Sequence, residues 1–170
     1  DLVGSDTFLF DLEGNILGRR YTPLIHKDLI QSRYSQIEVP HPTWMCRKSW
    51  LDNIGGYKNL KRGQDQYLLI TNCKKYRYYN ISKPLVYYRI KKMAILSTII
   101  GRISTVRANF DLSIWSFFVS FTYHFFVFFI KDVIFSLFGN KIYQSKTIHF
   151  KDLNYEQSKL NNLIKSIKCE

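Results

Sequence analysis

Seventeen consecutive residues, Ile114 to Ile130, carry no Asp, Glu, Lys or Arg and include seven Phe, one Trp and one Tyr. This stretch lies at the short end of the roughly 20 apolar residues that cross a bilayer. Its apolar side chains would cover every face of a helix, so the narrow apolar stripe of a surface helix is missing. The pattern favours a helix that is re-entrant or lies in the membrane plane. A short membrane span, or a helix that covers a sheet inside a soluble protein, stays open.

Positive charge is concentrated before this stretch. The chain has a formal net charge of +12, and from Lys58 to Arg107 twelve basic residues accompany a single acid, Asp65. Such a surface is typical of proteins that meet phosphate groups or the anionic cytoplasmic leaflet of a membrane. An ordinary solvated face explains the same charges equally well.

Cysteine usage and the start of the chain exclude some classes of protein. Cys46, Cys73 and Cys169 are far apart and form no CxxC pair. This argues against a disulfide framework or a cysteine-built zinc site and indicates a reducing compartment. The chain opens on Asp1 without an initiator Met or a signal peptide. We therefore expect a fragment of a longer protein.

Apolar periodicity and turn-forming residues predict a mixture of strands and helices. The predicted elements are a hairpin over 7–20, a helix over 24–34, a buried strand over 43–47, helices over 48–54 and 64–75, strands over 76–81 and 85–90, a helix over 93–108 and an amphipathic helix over 153–168. The order indicates an α/β or α+β fold for residues 1–92. Basic and then aromatic-rich, membrane-associating helices follow over 93–140, and a polar tail with an amphipathic helix over 141–170.

Asp65 is the acid that stands out, because it lies at the start of a predicted helix among basic residues. A positioned carboxylate can remove the proton from an attacking hydroxyl. The alternative is that Asp65 only caps its helix, since Asp is among the best N-cap residues. His26 and His41 have no HxH or HxxxH partner, so a metal site is not indicated.

Four ordered blocks resemble the carboxyl half of the catalytic domain of family 2 glycosyltransferases. They are residues 41–50 (HPTWMCRKSW), 54–57 (IGGY), 63–70 (GQDQYLLI) and 81–89 (ISKPLVYYR). Residues 1–6 (DLVGSD) and 14–18 (GNILG) also resemble the stretch that precedes the His-Pro block. The resemblance covers roughly residues 1–92, and more loosely residues 93–140.

The resemblance implies a partial GT-A fold, which is Rossmann-like, without its amino-terminal nucleotide-binding half. It makes Asp65 the general base that deprotonates the acceptor hydroxyl. Gln64 replaces the Glu that usually precedes this Asp. The substrate-binding residues that it implies are His41, Trp44, Arg47, Gln64, Gln66 and Arg89.

The family also implies a divalent metal, Mg or Mn, held with the donor diphosphate by an Asp-x-Asp motif. Residues 1–170 contain no such motif, so we expect no metal ligands in this chain and no activity from the chain alone. The implied partners are a nucleotide-sugar donor, a lipid-linked or saccharide acceptor and a membrane surface, but no nucleic acid. The implied role is surface polysaccharide biosynthesis, such as that of O-antigen, at the cytoplasmic face of the plasma membrane.

A rival interpretation is a non-enzymatic basic module that binds a membrane or nucleic acid. Residues 74–79 (KKYRYY) interleave cations with tyrosines that could stack on bases. A strand with one face on a sheet explains the same alternation, and no known nucleic-acid module is recognisable.

Overall fold

The computed structural model describes residues 1–90, 95–138 and 153–168. This part of the chain has a mixed α/β architecture, with a four-stranded sheet and helices. The elements are β1 (Leu2–Phe10), β2 (Ile16–Arg20), α1 (His26–Gln31), a 3₁₀ helix (His41–Thr43), β3 (Met45–Cys46), α2 (Lys48–Asn53), α3 (Gln64–Asn72), β4 (Tyr78–Arg89), α4 (Ile95–Leu112), α5 (Ile114–Phe138) and α6 (Leu153–Lys168).

Strand β1 is the centre of the sheet. On one side it pairs antiparallel with β2 and, nearer its start, with β3, where Leu2 lies opposite Cys46. On the other side it pairs parallel with β4 over its whole length. The predicted hairpin is confirmed: β1 and β2 are joined by a tight turn in which Gly14 has a φ of +90°. A residue with a side chain rarely adopts this conformation.

The two strands predicted at 76–81 and 85–90 form one strand, β4. The register runs from Ser5 opposite Ile81 to Asp6 opposite Pro84. Ser82 and the residue after it are therefore extra residues on β4, which is the geometry of a bulge. Pro84 has no N–H to offer a ladder, so a bulge at this position keeps the strand continuous.

The predictions for residues 43–47 and 24–34 also differ from the structure. The buried strand expected over 43–47 is wrong, because Thr43 ends a 3₁₀ helix and Met45, in the two-residue β3, is 75% exposed. The helix expected over 24–34 is shorter, since α1 ends at Gln31. The Ser32 hydroxyl donates to the carbonyl of Leu29, and such local side-chain bonds compete with helix continuation.

The core lies where α1, α2 and α3 pack on the first half of the sheet. Helix α3 buries four consecutive residues, from Tyr67 to Ile70. Tyr78, at the start of β4, is fully buried, and its hydroxyl donates to the carbonyl of Leu69 at 2.9 Å. Burial of this kind contributes roughly 1.5–3 kcal/mol for each large apolar side chain. It fixes α3 against the sheet.

Helix α4 packs between α3 and α5. The charged pair at 131–132 does not interrupt α5, which continues to Phe138. Much of the aromatic stretch remains exposed, so the interpretation in which its phenylalanines are hidden against the sheet is wrong. Among the helices that the structure describes, none has the combination of length and apolar character needed to traverse a bilayer. The helix start predicted at residue 93 and the boundaries near 92 and 140 lie outside the described residues.

The amphipathic helix predicted over 153–168 is confirmed as α6. It lies against the β1–β2 hairpin, where the Gln157 side-chain amide accepts from the N–H of Ile16 and donates to the carbonyl of Gly14, both at 2.8 Å. Leu160 is buried in this contact. The N–H of Ile16 and the carbonyl of Gly14 are backbone groups at the edge of the sheet. Such groups otherwise lack a hydrogen-bond partner from a neighbouring strand.

Candidate functional site

The candidate site is built on the chain between residues 39 and 65, beside the amino-terminal end of β1. The 3₁₀ helix begins with Pro42 in its first turn, and the Thr43 hydroxyl donates to the carbonyl of Pro40 at 2.7 Å. The Trp44 indole N–H donates to the carbonyl of Val39 at 3.0 Å. These local bonds fix the orientation of the side chains at 41 and 44.

Three aromatic side chains, His41, Trp44 and Tyr57, form a surface cluster that we call the aromatic cluster. The Trp44 and Tyr57 rings are nearly parallel, with centroids 6.4 Å apart, and His41 meets both edge-on at 4.7 and 5.8 Å. His41 Nε2 lies 2.9 Å from the Tyr57 hydroxyl. Exposed aromatic rings in this arrangement offer an apolar face with polar groups at its edge.

Asp65, the predicted general base, lies in the first turn of α3. The pKa of Tyr57 is raised by burial, and then by electrostatic interactions with Cys46 and Asp65. Asp65 is therefore within electrostatic range of the Tyr57 hydroxyl. The structure therefore brings His41 and Trp44 into contact and adds Tyr57, with Asp65 in electrostatic range of the Tyr57 hydroxyl.

The interpretation in which Asp65 caps its helix is wrong. The N-cap position of α3 is Gly63, with a φ of +74°, and no side chain makes the cap hydrogen bond. Asp65 is two residues further on and half-buried. Its carboxylate lies near the positive end of the helix dipole, which favours an anion there.

Helix α4 holds the loop that leads to Asp65. The Ser104 hydroxyl donates to the carbonyl of Arg62 at 2.6 Å. The Tyr67 hydroxyl donates to the carboxylate of Asp111, and the Lys58 ammonium lies 5.3 Å from the centre of the Tyr67 ring. Burial, followed by the bond to Asp111, raises the pKa of Tyr67. These contacts tie the end of the loop and helix α3 to α4, and they place Lys58, near the start of the loop, on the Tyr67 ring of α3.

The side chains of Gln64 and Gln66 form hydrogen bonds with backbone groups. The Gln66 amide accepts from the N–H of Ile37 at 2.8 Å and donates to the carbonyl of the same residue at 3.1 Å. The Gln64 amide donates to the carbonyl of Leu60. Both residues therefore position the chain around the site, and their predicted role in substrate binding stays a prediction.

The two predicted arginines are far apart. Arg47 is exposed and directly precedes α2, next to the aromatic cluster in the chain. Arg89 pairs with Phe10, at the end of β1. Cys46 pairs with Leu2, at the start of the same strand. A strand of this length separates the two ends by roughly 26 Å. Arg47 and Arg89 therefore lie toward opposite ends of β1, and the predicted role of Arg89 in substrate binding stays a prediction.

The residues that the structure describes do not fit a divalent metal ion. They contain no cluster of three or more His, Cys, Asp or Glu side chains that could hold one. The buried carboxylate of Asp6 is engaged by Arg19 at 2.7 Å and by the hydroxyl and N–H of Thr22 at 2.8 and 2.9 Å. Asp11 accepts from the backbone and side chain of Asn15 at 2.7 and 3.0 Å.

In the basic, tyrosine-rich run at 74–79 the cations are exposed, but two of the three tyrosines pack into or against the core. Tyr76 packs edge-on against Trp50 at 5.9 Å, and Tyr78 is fully buried. Tyr79 is the tyrosine of this run that is more than half exposed. Of the tyrosine rings that a nucleic-acid-binding module would use to stack on bases, only that of Tyr79 is therefore well exposed in this run.

A cavity of about 240 Å³ lies elsewhere, between β4 and α6. Phe8, Pro84, Tyr87 and Glu156 are among its lining residues, and the Tyr87 hydroxyl donates to the Glu156 carboxylate at 2.6 Å. None of the predicted site residues lines it. The aromatic cluster and Asp65 instead form an open surface site.

Comparison with models of protein families, with curated proteins and with solved structures gives no match for this chain. The assignment of the site therefore depends on its geometry and on the sequence motifs. Sequence reasoning missed Tyr57 as a site residue. The available signal was its position directly after the glycine pair, where Gly55 and Gly56 have φ values of +78° and +67° and turn the chain back toward His41.

Proposed function

We propose that residues 1–90 are the acceptor-binding portion of a glycosyltransferase that resembles family 2 and has a GT-A type of fold. The observation that carries this proposal is the aromatic cluster, with the half-buried carboxylate of Asp65 in electrostatic range of its Tyr57 hydroxyl. Aromatic rings pack well on the C–H faces of a sugar ring, and a nearby carboxylate is suited to take a proton from a sugar hydroxyl. The exposed aromatic cluster and the half-buried Asp65 carboxylate support this proposal.

In the proposed reaction, the acceptor sugar rests on the aromatic cluster with one hydroxyl directed at Asp65. The carboxylate takes the hydroxyl proton as the oxygen forms a bond to the anomeric carbon of the donor. The bond between that carbon and the diphosphate oxygen breaks, and the nucleoside diphosphate leaves with the electron pair. Groups that bind the donor are assigned to an amino-terminal half of the enzyme, because residues 1–170 hold no Asp-x-Asp motif.

The charge near the site favours an acceptor that carries phosphate. Arg47 follows the aromatic cluster directly, and Lys48 and Lys58 are also exposed. Exposed cations of this kind pair with phosphate oxygens. We therefore propose a lipid-linked saccharide, with its diphosphate near Arg47, as the acceptor.

Saccharide binding by the 170-residue chain is the first test. Saturation-transfer NMR with neutral oligosaccharides is expected to give signals from the sugar ring protons, and Trp44→Ala should remove them. Leu12→Ala, at an exposed residue outside the site, serves as the matched control. Failure of every sugar tested to bind, or binding that Trp44→Ala leaves unchanged, would contradict the proposal.

Transfer is tested in an enzyme in which this chain is joined to a donor-binding half. Asp65→Asn is expected to lower the transfer rate by about 100-fold or more, because the general base is lost. Asp52→Asn, at an exposed carboxylate of α2, is the control. Equal activity in the two variants would remove Asp65 from the mechanism.

A further inference from the structure

Helices α4 and α5 form a hairpin whose inward side is polar. The Asn109 side chain is completely buried and donates to the carbonyls of Thr105 and Arg33 at 3.0 and 3.2 Å. Ser120 is also completely buried, and its hydroxyl donates to the carbonyl of Tyr34 at 2.8 Å. These contacts supply hydrogen-bond donors to the backbone carbonyls of Arg33 and Tyr34, which follow α1 in the chain. The inward side of the hairpin therefore carries hydrogen-bonded polar side chains beside Ala108, which belongs to the apolar core.

The outward side of the same hairpin is apolar. We call this surface the aromatic face, and its side chains are between 40 and 77% exposed. They are Ile103, Phe110, Ile114, Trp115, Phe118, Val119, Phe121, Tyr123, Phe125, Phe126 and Ile130. Phe117, Phe121 and Phe125 stack in a row along α5, with centroids 5.9 and 6.3 Å apart. A contiguous apolar patch of this kind marks an interaction surface.

This arrangement is the reverse of a helix pair that is stable in water. Helices in contact with lipid commonly place small and polar residues at their mutual interface and apolar residues outside. We propose that the aromatic face of α4 and α5 docks onto an anionic lipid bilayer, with α5 parallel to the membrane surface and its aromatic rings below the headgroups.

The chemistry of the aromatic face favours lipid over a protein partner. A protein interface carries about one hydrogen bond for every 100–200 Å² of buried surface, whereas residues 114–130 offer no Asp, Glu, Lys or Arg. The exposed hydroxyl of Thr122 donates to the carbonyl of Phe118 within α5, at 2.9 Å. The Thr122 hydroxyl is therefore satisfied within α5. Polar groups in the hydrocarbon of a bilayer must be satisfied internally, because no water is present there.

The charges beside the aromatic face complement an anionic surface. Arg107 is exposed on α4, one turn from Ile103 and from Phe110, so its guanidinium can reach the headgroups while its neighbours enter the lipid. The +12 net charge of the chain adds a longer-range attraction to acidic lipids. Trp115 and Tyr123 are the residue types that prefer the membrane interface.

The test is sedimentation of the 170-residue chain with vesicles of phosphatidylcholine alone and with 30% phosphatidylglycerol added. Binding is expected to both vesicle types and to be stronger, and salt-sensitive, when the acidic lipid is present. The variant Trp115→Ser/Phe118→Ser/Phe126→Ser should lower the partition coefficient on the order of tenfold or more. The matched control Leu12→Ser/Leu24→Ser/Tyr79→Ser, which also changes exposed apolar residues, should bind as the parent chain does.

A second measurement reports the position of the helix directly. Lipids brominated near the headgroup should quench tryptophan fluorescence in the parent chain, and Trp115→Phe should remove this quenching. Self-association that the triple variant abolishes, together with no vesicle binding by the parent chain, would show that the aromatic face binds protein and would overturn the proposal. No sugar is involved, so the result is independent of the proposed transfer reaction.

Discussion

The Nε2 atom of His41 lies 2.9 Å from the hydroxyl of Tyr57, 16 residues further along the chain. This contact joins the 3₁₀ helix that precedes β3 to the loop that follows α2. Tyr57 also lies nearly parallel to Trp44, with an angle of 16° between the ring planes. Tyr57 therefore links the aromatic cluster to Asp65, whose charge acts on its hydroxyl.

Removal of the Tyr57 ring is expected to weaken saccharide binding more than removal of its hydroxyl. Tyr57→Ala should lower the affinity by about tenfold, because an aromatic contact of this kind contributes up to ~1.5 kcal/mol. Tyr57→Phe keeps the ring and loses the bond to His41, so a loss of about twofold is expected. Titration followed by NMR measures both affinities.

Tyr79→Ala is the control for these two variants, because Tyr79 is an exposed tyrosine outside the aromatic cluster. Its affinity for saccharide should equal that of the parent chain. An equal loss in Tyr57→Phe and Tyr57→Ala would show that the hydroxyl, rather than the ring, makes the contact.

Gln66→Leu is expected to lower stability and leave saccharide affinity unchanged. The variant removes both hydrogen bonds to the backbone of Ile37, at a cost of about 2 kcal/mol in the free energy of unfolding. Urea unfolding at neutral pH measures this change. An unchanged unfolding free energy with a lower affinity would instead support the predicted role of Gln66 in substrate binding.

The elements that the sequence predicts well are those fixed by local signals. Gly14 in the hairpin turn and Gly55 after α2 both have positive φ values, and the sequence marks both as stops. The apolar positions of α6 likewise follow the helical repeat. Each of these signals acts within a few residues, so it can be recognised without knowledge of the tertiary structure.

The parts of the site that sequence reasoning missed depend on contacts between distant segments. The position of Arg89 follows from the parallel pairing of β4 with β1, which puts Arg89 beside Phe10 and far from Cys46. The role of Tyr57 follows from a bond to a residue on another element. Neither local propensity nor apolar periodicity carries information about strand register across such a distance.

Gly63→Ala is expected to destabilise the protein and to displace the start of α3. A Cβ at residue 63 would lie 3.0 Å from the Cβ of Ser104, and the φ of +74° disfavours any side chain. The combined cost should be about 2 kcal/mol. Urea unfolding gives the stability, and the saccharide affinity reports whether the site has moved.

Gly55→Ala separates these two causes. Gly55 has a similar φ of +78°, but a Cβ there meets nothing within 4 Å. Its cost should therefore be about 1 kcal/mol, from conformation alone. Equal destabilisation in the two variants would show that the contact with Ser104 has no energetic effect.

His124 is expected to make stability fall as the pH is lowered. Burial, followed by the positive charge of Arg102, lowers the pKa of His124 from 6.5 to about 4, although a bond to the carbonyl of Tyr34 opposes this. Below pH 6.5 the unfolded chain therefore binds a proton that the folded chain does not. The stabilisation is complete above this pH and is lost progressively toward pH 4.

Between pH 7 and pH 5 the expected loss is about 1 kcal/mol, once solvent screening of this partly exposed ring is allowed for. Urea unfolding at the two pH values measures it. His26 contributes in the same direction, because burial and then the charge of Arg77 lower its pKa as well. His124→Gln should therefore reduce the pH dependence and His26→Gln/His124→Gln should reduce it further. If the free energy of unfolding of His124→Gln falls with pH as much as that of the parent chain, the pH dependence belongs to groups outside the α4–α5 hairpin.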